Sequence, residues 1–140
     1  MQSTAYFRRT YDETLDLMIE ARNYMAYVEP GRRDRAGGMA ALRMSCEAMR
    51  VTSRLTQVMA WLMMQRAVHE GEVELDEALS EPNRLSGEDV CLDETFTHDE
   101  TLPGGLRSLL QRSLSLYQRV SRLEAQMLDR YQVVDRRLLN

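Results

Sequence analysis

No lysine occurs among the 140 residues: all 18 basic side chains are arginine, set against 22 acidic ones for a formal net charge of -4. A disordered polybasic tail of the kind that coats nucleic acid or membranes is therefore absent, and no nucleic-acid partner is expected. Cysteine is nearly missing too. Cys46 and Cys91 are too few for a disulfide framework and lack C-x-x-C spacing, so the expected setting is a reducing cytoplasm. Three prolines and seven glycines punctuate the chain too sparsely for a turn-rich sandwich or barrel, and with ten methionines the balance favours long helices. The longest apolar run, Val58 to Met64, falls far short of the roughly 20 residues that span a bilayer. The opening Met1 to Arg9 has no long apolar stretch behind its charges, so neither a signal peptide nor a membrane association is expected. The length fits one domain.

What is present is helical periodicity. From about residue 4 to 29, Phe7, Tyr11, Leu15, Met18, Met25 and Val28 recur at spacings of three, four or seven, which predicts a first helix stopped by Pro30-Gly31. Pro30 to Gly38 reads as a loop from its proline, glycines and charge. A second helix is predicted over about 39–70, with Gly71 as its C′ residue. Its apolar arc is wide: Leu42, Met49 and Met63, then Ala41, Ala48, Leu55 and Leu62, then Met44, Val51 and Val58, then Cys46, Ala60 and Ala67. An arc that wide suits a central helix touching neighbours on two sides. The third helix, about 104–138, carries Leu106, Leu110, Ser113, Tyr117, Val120, Glu124, Met127, Tyr131, Val134 and Leu138 at alternating fours and threes, widened by Leu109, Leu116 and Leu123. Three helices of similar length predict an all-α fold, an antiparallel three-helix bundle in a single domain spanning residues 1–140.

The connection over about 71–101 is the unusual part. Residues 70–101 hold twelve acidic side chains and one arginine, Arg84, a local charge of -11; the remaining seventeen arginines and ten acids leave +7 elsewhere. So long a connection in a bundle is functional or mobile. One reading is a solvated loop, with a short helix at Leu75 to Ser80, folded against the arginine-rich faces of the second and third helices. The other is a docking strip for a basic partner.

Catalytic groups are sparse. His69-Glu70-Gly71-Glu72 begins like a zinc-binding H-E-x-x-H but has no second histidine, and His98 is the only other imidazole. No Glu-x-x-His pairs exist for a di-iron bundle, and His69 lies at a predicted helix end, unsuited to phosphotransfer. Cys46 falls within the apolar arc as a structural thiol, while Cys91 sits among carboxylates that would keep it protonated. Gly37-Gly38 and Gly104-Gly105 precede helices without the pattern of a phosphate loop. No catalytic residue, metal ligand or cofactor site is predicted. The candidate surface lies on the second helix, where Arg50, Arg54 and Gln57 lead into Trp61, Met64 and Val68, the mixture of arginine, tryptophan and methionine found in interaction hot spots. The competing reading has the first helix or the acidic segment covering Trp61. At the level of function, an interaction protein stands against a helical scaffold or a small-ligand sensor with a site between helices.

The run from Ser45 to Glu72 carries the pattern R-x-T-x-R-L-x-Q-x-x-x-W-L-x-x-Q-R-A-x-x-x-G-E, starting at Arg50, and resembles the signature stretch of the RcdA family, the regulators of CtrA degradation of alphaproteobacteria. Phe7 to Glu13, Leu102 to Leu109 and Ser113 to Val120 are similar more weakly. The resemblance implies a non-enzymatic three-helix bundle, a homodimer without cofactor. It further implies an accessory adaptor that helps the ClpXP protease degrade cell-cycle regulators such as CtrA. Partners so implied are a ClpX-type unfoldase, a CpdR-like adaptor, a cyclic di-GMP effector and cargo proteins, with localisation at a cell pole.

Overall fold

The apolar periods become helices in the computed structural model, which describes residues 4–96 and 98–139, the side chains of residue 4 and of 135–139 apart. In chain order they are α1 (Thr4–Tyr27), α2 (Glu29–Ala36), α3 (Gly38–His69), α4 (Leu75–Ala78), α5 (Glu88–Cys91) and α6 (Gly104–Leu139), with a 3-10 turn at Glu81–Asn83.

The segment expected to be a loop, Pro30 to Gly38, is mostly helix α2. Pro30 falls in the first turn, where a missing N–H costs no hydrogen bond, and Glu29 pairs with Arg33 one turn on at 3.3 Å. The first helix accordingly ends two residues earlier than expected and restarts after Val28. At the far end of α3, Gly71 takes φ +75° and donates its N–H to the Val68 carbonyl, the left-handed terminator expected there.

Helix directions depart from an all-antiparallel bundle. Phe7 packs on Trp61 and His69 while Met25 meets Thr52, so α1 and α3 are antiparallel. Glu13 pairs with Arg119 and Glu20 with Arg112, so α1 and α6 are antiparallel too. Helices α3 and α6 must then run parallel, and Arg43 beside Phe96 and Asp99, with Arg54 on Leu110, confirms it. A parallel pair needs a return path as long as the helices themselves, which accounts for the long acidic connection: it is the crossover from the end of α3 to the start of α6.

The core lies between α1, α3 and α6, around Val51, Val58, Leu106, Leu110, Leu116, Tyr117 and Val120, all fully buried. Each such aliphatic side chain contributes roughly 1.5–3 kcal/mol by leaving water. The buried stripe of α1 is Thr10, Thr14, Leu17 and Ala21; Leu15 and Val28, expected inside, are about two-fifths exposed. Threonine is tolerated there because Thr14 donates its hydroxyl to the Thr10 carbonyl at 2.7 Å. On α6 the expected positions are buried from Leu106 to Val120, whereas Tyr131 and Val134 are exposed and the side chain of Leu138 lies outside the described residues.

Where α1 ends against the start of α6, a Cβ on Gly105 would stand 2.8 Å from Tyr24 Cε2. Gly105→Ala is expected to lower the melting temperature, because an overpacking cost of about 1–3 kcal/mol outweighs the gain in helix propensity. Gly104→Ala, whose Cβ meets only the Arg107 guanidinium at 3.9 Å, should leave it unchanged or raise it. Thermal unfolding of the two variants side by side reads the difference in sign.

Candidate interaction surfaces

The crossover is fastened to α3 by a row of arginines one helical turn or two apart. Arg43 lies 4.5 Å over the Phe96 ring and reaches Asp99 at 3.4 Å. Arg50 holds both Glu47 oxygens and donates to the Val90 carbonyl at 2.6 Å. Arg54, with no exposed surface, donates Nε to the Cys91 carbonyl at 2.7 Å, Nη1 to the Leu110 carbonyl at 2.9 Å and Nη2 to the Asp93 carbonyl at 2.9 Å. Gln57 Oε1 accepts from the N–H and hydroxyl of Ser86, and Tyr117 donates its hydroxyl to the Ser86 carbonyl at 2.8 Å. Leu85 donates its N–H to Glu124 on α6 at 2.8 Å. The acidic segment is thus folded down, as the first of the two readings expects, but the arginines holding it come from α3. Arg112 and Arg119 of α6 face α1 instead.

These contacts set local charge states. Burial pulls the Arg54 guanidinium below its ordinary value, and Arg50 adds to the effect. The hydroxyl and N–H of Thr95 hold Asp93 below the usual carboxylate range, and Thr101 does the same for Asp99. Burial pushes the Cys91 thiol up against the opposing Arg54 and Arg50, so the cause is the apolar surroundings and not the neighbouring carboxylates that its sequence position suggested. Burial pushes Tyr117 up as well. Below about pH 8.5, the ordinary thiol value, folded and unfolded chains hold these protons alike. Above it the unfolded chain releases them first, so stability declines as pH rises. Chemical denaturation at pH 7.5 and 10 should show the decline, and Cys91→Ala should flatten it; an unaltered slope in that variant would remove Cys91 from the explanation.

The six residues singled out on the second helix part company. Arg54 and Trp61 are interior, Trp61 at 2% exposure beneath Phe7, whose ring centroid is 6.0 Å away. Helix one therefore covers Trp61, and neither side chain is presented to a partner. Arg50 and Gln57 are half-buried and engaged on the crossover. Met64 and Val68 are half-buried near the C-terminal end of α3.

The open side of α3 is elsewhere. Met39, Leu42, Met49 and Met63 are 73%, 55%, 69% and 60% exposed, and Cys46 and Ala60 are exposed as well, although the apolar arc placed most of them inside. The helix packs against α1, α2, α6 and the crossover, with Arg33 of α2 donating to the Ser45 hydroxyl at 3.4 Å, and these side chains stay open beside them. Every exposed residue of α3 from Met39 to Met63 is uncharged, because Arg43, Glu47, Arg50 and Arg54 all turn toward the crossover. The heptad positions of Leu42, Met49 and Met63, taken with the absence of charge beside them, were the available signal.

Among the described residues no three His, Cys, Asp or Glu side chains gather into a group able to hold a metal, and no helix is long and apolar enough to cross a membrane.

The crystal structure of RcdA from Caulobacter crescentus CB15 matches with a TM-score of 0.69 and 36% sequence identity, over 86% of this chain and 89% of that one. No curated protein sequence matches. The model of the family described as "Protein of unknown function (DUF1465)" covers residues 1–137. With that span and that degree of identity, the chain belongs to the DUF1465 family and is a structural relative of RcdA.

Proposed function

We propose that this protein is a non-enzymatic accessory adaptor in regulated proteolysis. In this reading it acts as a cytoplasmic homodimer, at a cell pole, and assists a ClpX-type unfoldase and its protease with a CpdR-like adaptor and response-regulator cargo of the CtrA kind. The likeness to RcdA, 36% identical across most of both chains, carries the reading. The surfaces fit it: an uncharged helix face, an acidic crossover, and Met64 and Val68 half-open at the end of α3. With so much segregated charge, partner binding should weaken as salt approaches about 1 M. The test is the half-life of a CtrA-like response regulator after translation is blocked, in cells with and without this gene. A several-fold longer half-life in its absence is expected; an equal half-life, together with no recovery of unfoldase, adaptor or response regulator in a quantitative pull-down, would overturn the proposal.

A small-ligand sensor remains the alternative, on one observation: a cleft of about 460 Å³ between α1 and α6, lined by Arg9, Glu13, Asp16, Glu20, Arg112 and Arg119 among others. Its walls are already joined by the Glu13–Arg119 and Glu20–Arg112 pairs, which a ligand would have to displace. A nucleotide-dependent rise in melting temperature would favour this second reading.

A further inference from the structure

We propose that α1 and α6 form a binding site for a phosphate-type dianion, at the one level of their shared surface where arginine stands opposite arginine. The site goes beyond the adaptor role and does not depend on it.

The two helices meet through polar stripes that match step for step. Tyr6, Arg9, Glu13, Asp16 and Glu20 recur on α1 at alternating threes and fours, and Arg112, Ser115, Arg119, Arg122 and Gln126 do the same on α6. Their antiparallel register is fixed at two points. Glu20 accepts from both terminal nitrogens of Arg112, at 2.6 and 2.7 Å, and Glu13 holds Arg119. The same register sets Ser115 level with Asp16, Arg122 level with Arg9, and Gln126 level with Tyr6. Two layers thus pair a carboxylate with a guanidinium, and one brings two guanidinium groups together. Neighbouring like charges repel, so that layer is weaker than those beside it unless an anion joins it.

Two clefts open along this surface and meet at Arg119. Arg9 lines the larger, of about 460 Å³. The smaller, of about 260 Å³, is lined by Tyr6, Arg119, Arg122, Leu123 and Gln126. It presents hydrogen-bond donors beside one apolar wall, with no carboxylate among its lining residues. Arg9 and Arg122 are exposed, and among the described residues neither forms an ion pair. Arg119 keeps its terminal nitrogens on Glu13, while its Nε is buried without an acceptor. An anion can therefore join Arg9 and Arg122 without parting either of the ion pairs that tie α1 to α6.

Charge selects the class of ligand. The guanidinium groups of Arg9, Arg119 and Arg122 stand against the single carboxylate of Glu13, which leaves two positive charges to be met. Asp16 lies about 10 Å further along the axis from Arg9, and Asp12 lies round the outer side of α1, one turn from Arg8. A carboxylate would meet half of that charge. A phosphate monoester carries about -2 above pH 7, and its oxygens accept from the planar fork of arginine. The same phosphoryl chemistry comes on a small solute or on a phosphorylated side chain of another protein.

Titrated at pH 7.5, with ionic strength held constant by chloride, inorganic phosphate should raise the melting temperature saturably, by about 3–6 °C at roughly ten times its dissociation constant. Arg9→Gln and Arg122→Gln should each weaken phosphate binding about tenfold, the loss of one charge-assisted contact. Arg35→Gln, which removes an exposed arginine of α2, should leave it unchanged. Arg122→Glu is the sharper variant, because it turns the like-charge layer into an ion pair with Arg9. Without phosphate it should melt at or above the wild-type temperature, and phosphate should no longer move it. A phosphoserine peptide that binds more tightly than inorganic phosphate would assign the site to a modified protein; equal or weaker binding would assign it to a free solute. A wild type that responds to phosphate no more than to chloride would overturn the site. So would an Arg122→Glu protein that melts lower or still responds, or an Arg35→Gln protein that loses the response as fully as Arg9→Gln.

Discussion

Arg54→Leu is expected to lower the unfolding free energy by about 3–5 kcal/mol, the cost of breaking a buried, fully engaged ionic group. Leucine approaches the arginine in volume, so the loss comes chiefly from polar groups left behind. The carbonyls of Cys91 and Asp93 each lose the donor that the guanidinium supplies, at about 1–3 kcal/mol apiece before relaxation, while the carbonyl of Leu110 keeps the Ser113 hydroxyl at 3.2 Å. Two of those carbonyls belong to the crossover and one to α6, so the same substitution unties the crossover and loosens α3 from α6. Arg54→Lys should recover little, because a single ammonium cannot span three acceptors on two elements as the guanidinium fork does. For a chain of this size the loss corresponds to a fall in melting temperature of roughly 10 to 15 °C. Hydrogen exchange should locate it, with amides between Ser86 and Asp99 exchanging faster than those of α1. A change below about 1 kcal/mol would mean that the arginine is replaceable by packing alone.

Trp61→Ala should cost about as much, roughly 3–5 kcal/mol, by emptying the space between α3 and Phe7. The indole nitrogen has no acceptor in the described structure, so Trp61→Phe forfeits volume but no hydrogen bond and should be distinctly milder. This pair of variants bears on how binding experiments are read. A loss of partner binding in Trp61→Ala would report unfolding and would not map a contact. An unchanged melting curve for Trp61→Ala would return the residue to the surface.

The periodic stretches of the chain were legible because burial selects for period. Val51, Val58, Leu106, Leu110 and Val120 sit where the spacing put them, and the end of α3 at Gly71 follows from one backbone conformation. The errors share a physical source. Arg43, Glu47, Arg50 and Arg54 form a charged row at helical spacing, which ordinarily marks the side facing water. Here the crossover lays backbone carbonyls and carboxylates against that row, so charge is satisfied inside and the uncharged side of α3 is left outside. Of the two readings of Trp61, the same inversion decides for cover by the first helix. Helix direction was not legible either: nothing in local periodicity distinguishes a parallel neighbour from an antiparallel one, and only the length of the acidic connection hinted at it. In α2, a proline and three nearby glycines suggested a loop where a first-turn proline in fact opens a helix.

The parallel setting of α3 and α6 also orders events in time. Helices α1, α2 and α3 are joined by short links, so their mutual contacts require little loop closure and can form while the rest of the chain is still being made. The face of α3 built around Val51, Leu55 and Val58 has no cover until α6 arrives, and α6 docks only after the whole crossover has been threaded back along the helix. Synthesis at about 5–20 residues per second leaves that apolar strip bare for several seconds in each new molecule. Each arginine of the row that engages the crossover shortens the loop left to close, so closure can proceed in short steps instead of one long search. Chain segments truncated before Gly104 should accordingly be helical but sticky, and the acidic crossover, which carries most of their negative charge, is the feature that keeps the growing chain apart from its neighbours during that interval.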